Sequence, residues 1–349
     1  MKSKKKIIIG IVCIIVIIVL GSVAFRNISY TNSLKSHYVS RLDWAYNNKG
    51  QKVKGVSGTK GIDIDIIPFW QKKLDTNSVL VGVIDTGEYK KGKLLKNHIW
   101  SNKREKANDG KDNDKNGYID DQYGWDFYNN DNTIYDNYLY DYHGTYIANE
   151  IIKTNPKVQI IVSKFMKGTK GDALDATKAI NYAINSGARI INCSWDFYKD
   201  EPKMRQLIHD NQNVLFVCAA GNSNLNLDKE DIFPASYDED NVISVGAVNS
   251  QGKLYEYGGY GKNGVDILAP GENINILLPE NDKEYVDGTS IATSYVSGAA
   301  SLLLGAKPDL KPYEIKKVII NGAKKETGLR NKCKSGGILD IYASYLLLK

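Results

Sequence analysis

Cysteine is scarce in this chain: Cys13, Cys193, Cys218 and Cys333 are the only four in 349 residues. No two stand at metal-ligand spacing, and nothing demands a disulfide framework, so neither a zinc module nor a disulfide scaffold organises the fold. Histidine is equally sparse, at His37, His98, His143 and His209. A basic face is missing too. The net charge is +6, but Lys2, Lys4, Lys5 and Lys6 supply four of those charges and leave about +2 for the rest. That balance excludes electrostatic recruitment of nucleic acid. What remains is ordinary globular material, 42% hydrophobic and 25% charged, long enough for one large domain or two smaller ones.

The chain begins with a basic cluster followed by an apolar run from Ile7 to Phe25, broken by little more than Gly10, Gly21 and Ser22. A basic flank followed by an apolar stretch is an export signal. The run approaches the ~20 residues that span a bilayer as a helix, which favours a retained single-pass anchor over residues 1–25. The lysines would hold the N-terminus inside and place the following chain outside. Ser22-Val23-Ala24 also offers a small-x-small cleavage site, which would make the protein secreted. Residues 26–40 are polar and read as a tether. The folded domain is expected over 41–349, with Trp44, Ile62, Ile64 and Trp70 packing an N-terminal arm onto it. No stretch before that arm is long enough for a folded pro-domain.

Four short segments bear chemistry. Val79–Ile84 is a β-branched run of the kind buried on both faces of a parallel sheet, and Asp85 sits at its C-terminal end. His143-Gly144-Thr145 precedes Ile147, Ala148, Ile151 and Ile152 at helical spacing, which places His143 in the first turn of a buried helix. Ala219-Ala220-Gly221-Asn222 follows a strand; its glycine permits a tight turn, and the Asn222 amide can aim two donors at an oxygen. Gly288-Thr289-Ser290 opens a small-residue helix, where the Ser290 hydroxyl meets unpaired N–H groups and the positive end of the helix dipole. Taken singly, each has an ordinary structural explanation: a turn aspartate, a core histidine, a turn asparagine, a helix cap. Jointly they supply a nucleophile, a base, a carboxylate to orient the base, and oxyanion donors.

Between these segments strands and helices alternate: strands at 158–165, 188–194, 214–219, 241–248 and 265–268, helices at 172–186, 201–211 and 311–321, and a last helix within 339–348. This rhythm predicts an α/β fold, a mostly parallel central sheet with helices on both faces. Right-handed crossovers would gather Asp85, Ser194, Gly221 and Asn222 on one edge. The loop 108–127 matches much of an oxygen-ligand cation loop, with Asp112, Asp114, Asn116, Tyr118 and Asp120 in register. Its twelfth position is Tyr123 instead of glutamate. Hard oxygen ligands favour calcium.

VGVIDTG, HGT, AAGN and GTSIAT, in this order, resemble the subtilisin-like serine peptidases (subtilases), from about Arg41 to the last helix. The resemblance implies a subtilisin-like three-layer fold and a peptide or protein substrate. In it Ser290 is the nucleophile, His143 the base and Asp85 its orienting carboxylate. Asn222 and the Ser290 N–H form the oxyanion hole, and Ser194-Trp195-Asp196, with Gly221, lines the substrate site. The acidic insert resembles calcium loops of secreted bacterial subtilases. The chain departs from the family pattern at Tyr146, usually histidine, and at Ile291 to Tyr295, usually Met-Ala-Thr-Pro-His. It departs again at Asp196, usually glycine, a change that narrows or acidifies a subsite. These features suggest a membrane-held maturation peptidase, for instance one that removes a bacteriocin leader. Two rival readings are a catalytically inactive scaffold on the same fold and a calcium-dependent adhesin.

Overall fold

Among the described residues, nine strands form one sheet and are numbered here along the chain. They are β1 Leu80–Asp85, β2 Gly124–Asp126, β3 Gln159–Lys164, β4 Ile190–Cys193 and β5 Leu215–Ala219, then β6 Val242–Val248, β7 Ile267–Pro270, β8 Lys324–Lys325 and β9 Gly337–Ile338. The computed structural model describes residues 43–279 and 282–348. The expected anchor (1–25) and tether (26–40) therefore lie outside the described residues. No helix among the described residues is long and apolar enough to cross a membrane.

The order across the sheet is β8-β9-β7-β6-β5-β4-β1-β3-β2. All neighbours are parallel except β8 and β9. From β1 the chain steps to one side, through β3, and then returns to add β4 on the other side of β1. That reversal makes the β1/β4 boundary a switch point, where open α/β sheets leave a crevice at the carboxyl ends of their strands. Asp85 ends β1 and Ser194 follows β4, so the two flank this crevice.

Among the described residues, seven helices surround the sheet: α1 Ile67–Gln71, α2 Tyr138–Thr154, α3 Ala173–Asn185, α4 Pro202–Asp210, α5 Thr289–Ala306, α6 Pro312–Gly322 and α7 Ile341–Leu346. Helix α5 packs on α2 and on β4 to β7. From Thr289 to Gly305 it is buried at every residue but Ser290, as expected of a helix apolar on all sides. Helix α2 packs on β1 and on α5, whereas α3 packs on β1, β3 and α4. The three layers expected from the sequence are present.

Most predicted elements lie within two residues of their observed bounds, because caps and buried periodicity mark them. Asp172 accepts from the Asp175 N–H at 2.9 Å to start α3, and Pro312 opens α6. Two readings need correction. Helix α2 begins five residues before His143, at Tyr138, because Asn137 caps it by accepting from the Leu139 N–H at 3.0 Å. His143 is therefore in the second turn, not the first. The strand expected from Val265 starts instead at Ile267, since the Val265 N–H bonds the Gly261 carbonyl in a turn.

The N-terminal arm is integral to this unit. Trp44, Ile62 and Ile64 are buried; Trp44 Nε1 donates to the Glu272 carbonyl at 3.2 Å, while Trp70 is half-buried and stacks on Tyr46. Beside β1, in register with Asp85, lies the fully buried Lys164. Its ammonium meets Asp126 at 2.9 Å, Asp136 at 2.8 Å and Asp141 at 3.7 Å. Burial disfavours the charge, but these carboxylates prevail and raise the lysine's pKa. A buried cation matched in this way is stable only as a set; losing one member leaves an uncompensated charge.

Candidate active site

Asp85 and His143 meet. His143 Nδ1 lies 2.8 Å from Asp85 Oδ1, and the same oxygen accepts from the Thr86 N–H at 2.7 Å. Asp85 is fully buried, whereas the His143 side chain keeps 25% of its surface exposed. A buried carboxylate bonded to one ring nitrogen fixes the tautomer and leaves the other nitrogen to do proton transfer.

Two hydrogen bonds hold this pair in register. The Gly144 N–H donates to Thr86 Oγ1 at 3.0 Å, and the Tyr89 N–H donates to Thr145 Oγ1 at 2.9 Å. The loop after β1 is thus stitched to α2 at the two residues that follow His143. Gly144 is required for the close approach: a Cβ there would stand 2.6 Å from the Gly87 carbonyl oxygen and 3.2 Å from Asp85. The edge of Tyr146 packs on the imidazole, with ring centroids 4.9 Å apart. Burial, and then the Asp85 charge, push its phenol well up and keep it neutral. Tyr146 therefore replaces the family's histidine as an apolar wall.

Ser290 is the second residue of α5, and its backbone N–H has no intrahelical acceptor at that position. Asn222 stands beside it in a fixed orientation. Its Oδ1 accepts from the Thr289 N–H at 2.8 Å and from Thr289 Oγ1 at 3.2 Å. A backbone N–H can only donate, so the amide oxygen must face Thr289 and the Nδ2 donor is turned away from it. This leaves two donors, Asn222 Nδ2 and Ser290 N–H, on adjacent segments.

The Ser290 hydroxyl donates to the Ser194 carbonyl at 2.8 Å. Among the described residues it makes no hydrogen bond to His143. The structure thus joins two of the three predicted triad members, while the hydroxyl of the third rests on the Ser194 carbonyl. Ser194 returns the contact, its Oγ donating to the Ser290 carbonyl at 2.9 Å. Behind it, Asn192 Nδ2 donates to Ser194 Oγ at 2.9 Å, and Ser297 Oγ donates to Asn192 Oδ1 at 2.8 Å. This relay locks the end of β4 to α5. None of its members, nor Thr86, Thr145 and Thr289, stands out in the sequence as a hydroxyl or amide with a partner far along the chain.

The remaining site residues are distributed unevenly. The Trp195 side chain is buried against Phe165 and Phe197, and Nε1 donates to the Ile84 carbonyl at 2.6 Å. Only its main chain remains for a substrate. Asp196 is half-buried and faces Gly221. In the acidic loop, Asp112 and Asp114 converge with Glu105, their ligand oxygens all within 4.8 Å of one another. Asp120 turns instead to the N–H groups of Asp109 and Gly110. Asn116 donates to Asp121 at 2.9 Å, and the Tyr118 ring packs against Trp125, Phe127 and Tyr182. Glu105 had no sequence signal, since it precedes the loop motif and reaches it by a fold of the chain.

An α/β sheet with an aspartate–histidine pair, a helix-borne serine and an oriented amide at its switch point defines a subtilisin-like hydrolase fold. The chain belongs to the subtilase family (Peptidase S8), a family of subtilisin-like serine protease hydrolases whose model matches residues 76–336. It is 30% identical to the major intracellular serine protease of Bacillus subtilis (strain 168), over 70% of this chain and 74% of that one. It is 28% identical to the cell wall-associated protease of the same organism, over 86% of this chain and 31% of that one. With subtilisin-like protease 1 of Plasmodium berghei (strain Anka) the identity is 27%, over 80% and 52%. The chain thus spans only a third to a half of two of these relatives. Among solved structures, that of the subtilase cytotoxin SubAB aligns with a TM-score of 0.67 at 22% identity, over 81% of this chain and 94% of that one. A cold adapted subtilisin-like serine proteinase aligns with 0.64 at 20%, over 86% and 98%. These two likenesses establish the fold.

One buried acid beside the pair carries a prediction. Glu88 is fully buried, and neither of its carboxylate oxygens has a hydrogen-bond partner among the described residues. Burial, then the charges of Asp85 and Asp141, push its carboxyl well above the ordinary 4.5, against the pull of Lys164. The folded state therefore holds this proton more tightly than the unfolded state. Its stabilising contribution is present in full below about pH 4.5 and is lost as pH rises through the raised folded value. Glu88→Gln should show a Tm advantage over wild type that grows by roughly 2–4 °C from pH 4.5 to pH 8. A Tm difference independent of pH would remove the linkage.

Proposed function

We propose that this chain is a serine endopeptidase that hydrolyses peptide bonds of exported peptides or proteins through an acyl-enzyme on Ser290. The 2.8 Å contact of His143 Nδ1 with Asp85 Oδ1 carries this reading, supported by the Thr289-locked amide of Asn222 beside Ser290. The substrate main chain lies along Ser194–Asp196, and one of its N–H groups takes over the Ser194 carbonyl. That exchange frees the Ser290 hydroxyl to turn to His143 Nε2. Oγ attacks the scissile carbonyl carbon while His143 takes its proton, and the carbonyl π pair moves onto oxygen between Asn222 Nδ2 and Ser290 N–H. The C–N bond then breaks as His143 gives the proton to the leaving amine. A water, deprotonated by His143 in turn, cleaves the ester and restores the serine. The Ser290–Ser194 bond favours a second reading, an inactive scaffold whose serine stays turned away. Fluorophosphonate labelling separates the two. Wild type should label and Ser290→Ala should not, while Asn222→Ala should lose roughly 10²–10³ in turnover, a scale measured in subtilisin itself. Unlabelled, folded wild type would favour the scaffold.

The acidic loop fits a structural calcium ion. Three carboxylates converge, Glu105 is 7% exposed, and its Oε2 has no partner among the described residues. Burial also raises its pKa, although the N–H groups of Asp114 and Asn113 oppose the shift. A hard divalent cation meets all three needs. Glu105, Asp112 and Asp114 would hold it and pin the loop. A chelator should lower Tm by roughly 5–10 °C, and Glu105→Gln should abolish that difference; an unchanged wild-type Tm would count against calcium.

The lysine cluster and the apolar run Ile7–Phe25 support residence at the outer face of a bacterial membrane. There a maturation role, such as bacteriocin leader removal, would suit the altered substrate strand. Full-length protein should resist high-salt extraction from membranes and yield to detergent. Recovery of an N-terminus at Phe25 would show cleavage instead.

A further inference from the structure

Asp196 is an acid of the candidate cleft that the catalytic chemistry does not use. It comes two residues after Ser194, whose carbonyl receives the Ser290 hydroxyl, and it faces Gly221, which directly precedes Asn222. A Cβ at Gly221 would lie 3.6 Å from the Asp196 carboxyl and 2.7 Å from Ile232 Cδ1. With φ at +80°, that position also favours glycine on backbone grounds. Opposite Asp196 the wall is therefore bare main chain. The same two segments are tied again farther on, where Tyr198 and Ser223 hydroxyls meet at 2.7 Å. Residues 194–198 and 221–223 thus form the two walls of one slot, with a carboxylate projecting from one of them.

The carboxylate is unmatched. Among the described residues no ion pair or hydrogen bond to the Asp196 side chain is formed, although the residue is largely covered. Burial alone pushes its carboxyl up, with no neighbouring cation to offset it. The slot's position indicates which substrate residue it receives. The scissile carbonyl must sit between Asn222 Nδ2 and the Ser290 N–H, with the leaving amine on the side of His143, which protonates it. The side chain on the acyl half branches one bond from that carbonyl, away from His143, and Gly221 directly precedes the Asn222 donor, so the slot beside Gly221 is placed to receive it.

We propose that Asp196 makes this slot selective for a cationic side chain, arginine or lysine, on the substrate residue that supplies the acyl group. This rests on the peptidase reading above. An arriving guanidinium supplies the donors and the charge that the half-buried carboxylate lacks, and a charge-assisted pair of that kind is strong where water is thinned. A neutral side chain of the same shape would leave the carboxylate unpaired and bury it further, so the device also rejects apolar residues. A glycine there, as in the family pattern, supplies no carboxylate at this position.

The test uses the full chain and internally quenched peptides identical except at the acyl-side residue, which is arginine, its neutral isostere citrulline, or leucine. Wild type should cleave the arginine peptide with a kcat/KM about ten- to a hundredfold above the citrulline peptide. Asp196→Asn should bring that ratio to about one, and Asp196→Lys should shift preference towards a glutamate peptide; fluorophosphonate labelling of Ser290 reports that each variant is folded. A labelled wild type that cleaves citrulline or leucine peptides as fast as arginine overturns this proposal alone, as does an arginine preference that survives Asp196→Asn. A wild type that neither labels nor cleaves any peptide overturns the peptidase reading and this one with it.

Discussion

A fully buried carboxylate is a costly thing to place at the end of a β-strand, and Asp85 is tolerated there because His143 meets it. The 2.8 Å contact between them constrains everything around it. Helix α2 must approach β1 closely enough that only glycine fits at position 144, and the loop between them must be stitched at Thr86 and Thr145. Helix α5 must then lie against α2 to bring Ser290 to the same edge. That arrangement is stable because α5 is buried along nearly its whole length, so the apolar area it removes from water fixes where its N-terminus falls.

The departures from the family pattern divide on physical grounds. Tyr295 is fully buried, edge-on to Tyr46 at 5.3 Å, with its hydroxyl donating to Glu150 at 3.4 Å. Tyr46 donates to the same carboxylate at 2.8 Å. That tyrosine therefore ties α5, α2 and the N-terminal arm together, and it removes nothing from the chemistry. Tyr146 is likewise absorbed, as a wall against the imidazole. Asp196 differs from both, since it faces the cleft without a partner.

The acidic loop shows why local reading stops short. Alternate positions from Asp112 carry oxygen ligands, and a regular loop would bring all of them round one ion. Here Asp120 folds back to cap the N–H groups of Asp109 and Gly110, Asn116 is held by Asp121, and Glu105 enters from outside the motif. Which carboxylates converge is settled by competing hydrogen bonds within the loop. Those bonds depend on backbone turns with positive φ at Asn108, Lys115 and Asp120, which composition does not specify.

Legibility in the sequence follows the range of the forces involved. Buried β-branched runs such as Val79–Ile84, capped helices such as 173–185, and glycine turns at Gly221 and Gly288 are local preferences written in neighbouring residues, so element types, their order and the four chemical segments could be read directly. The two-residue strands, strand β2 and the five-residue helix α1 could not, because elements so short exist only through the neighbours they pair with. The same holds for Thr289 orienting Asn222, for Trp195 turning inward to the Ile84 carbonyl, and for the Ser290 hydroxyl resting on Ser194. Sequence alone determined which functional groups are present and on what kind of element each is carried. Tertiary structure decided which of them touch, because a hydrogen bond acts over about 3 Å and only packing brings residues a hundred positions apart within that range.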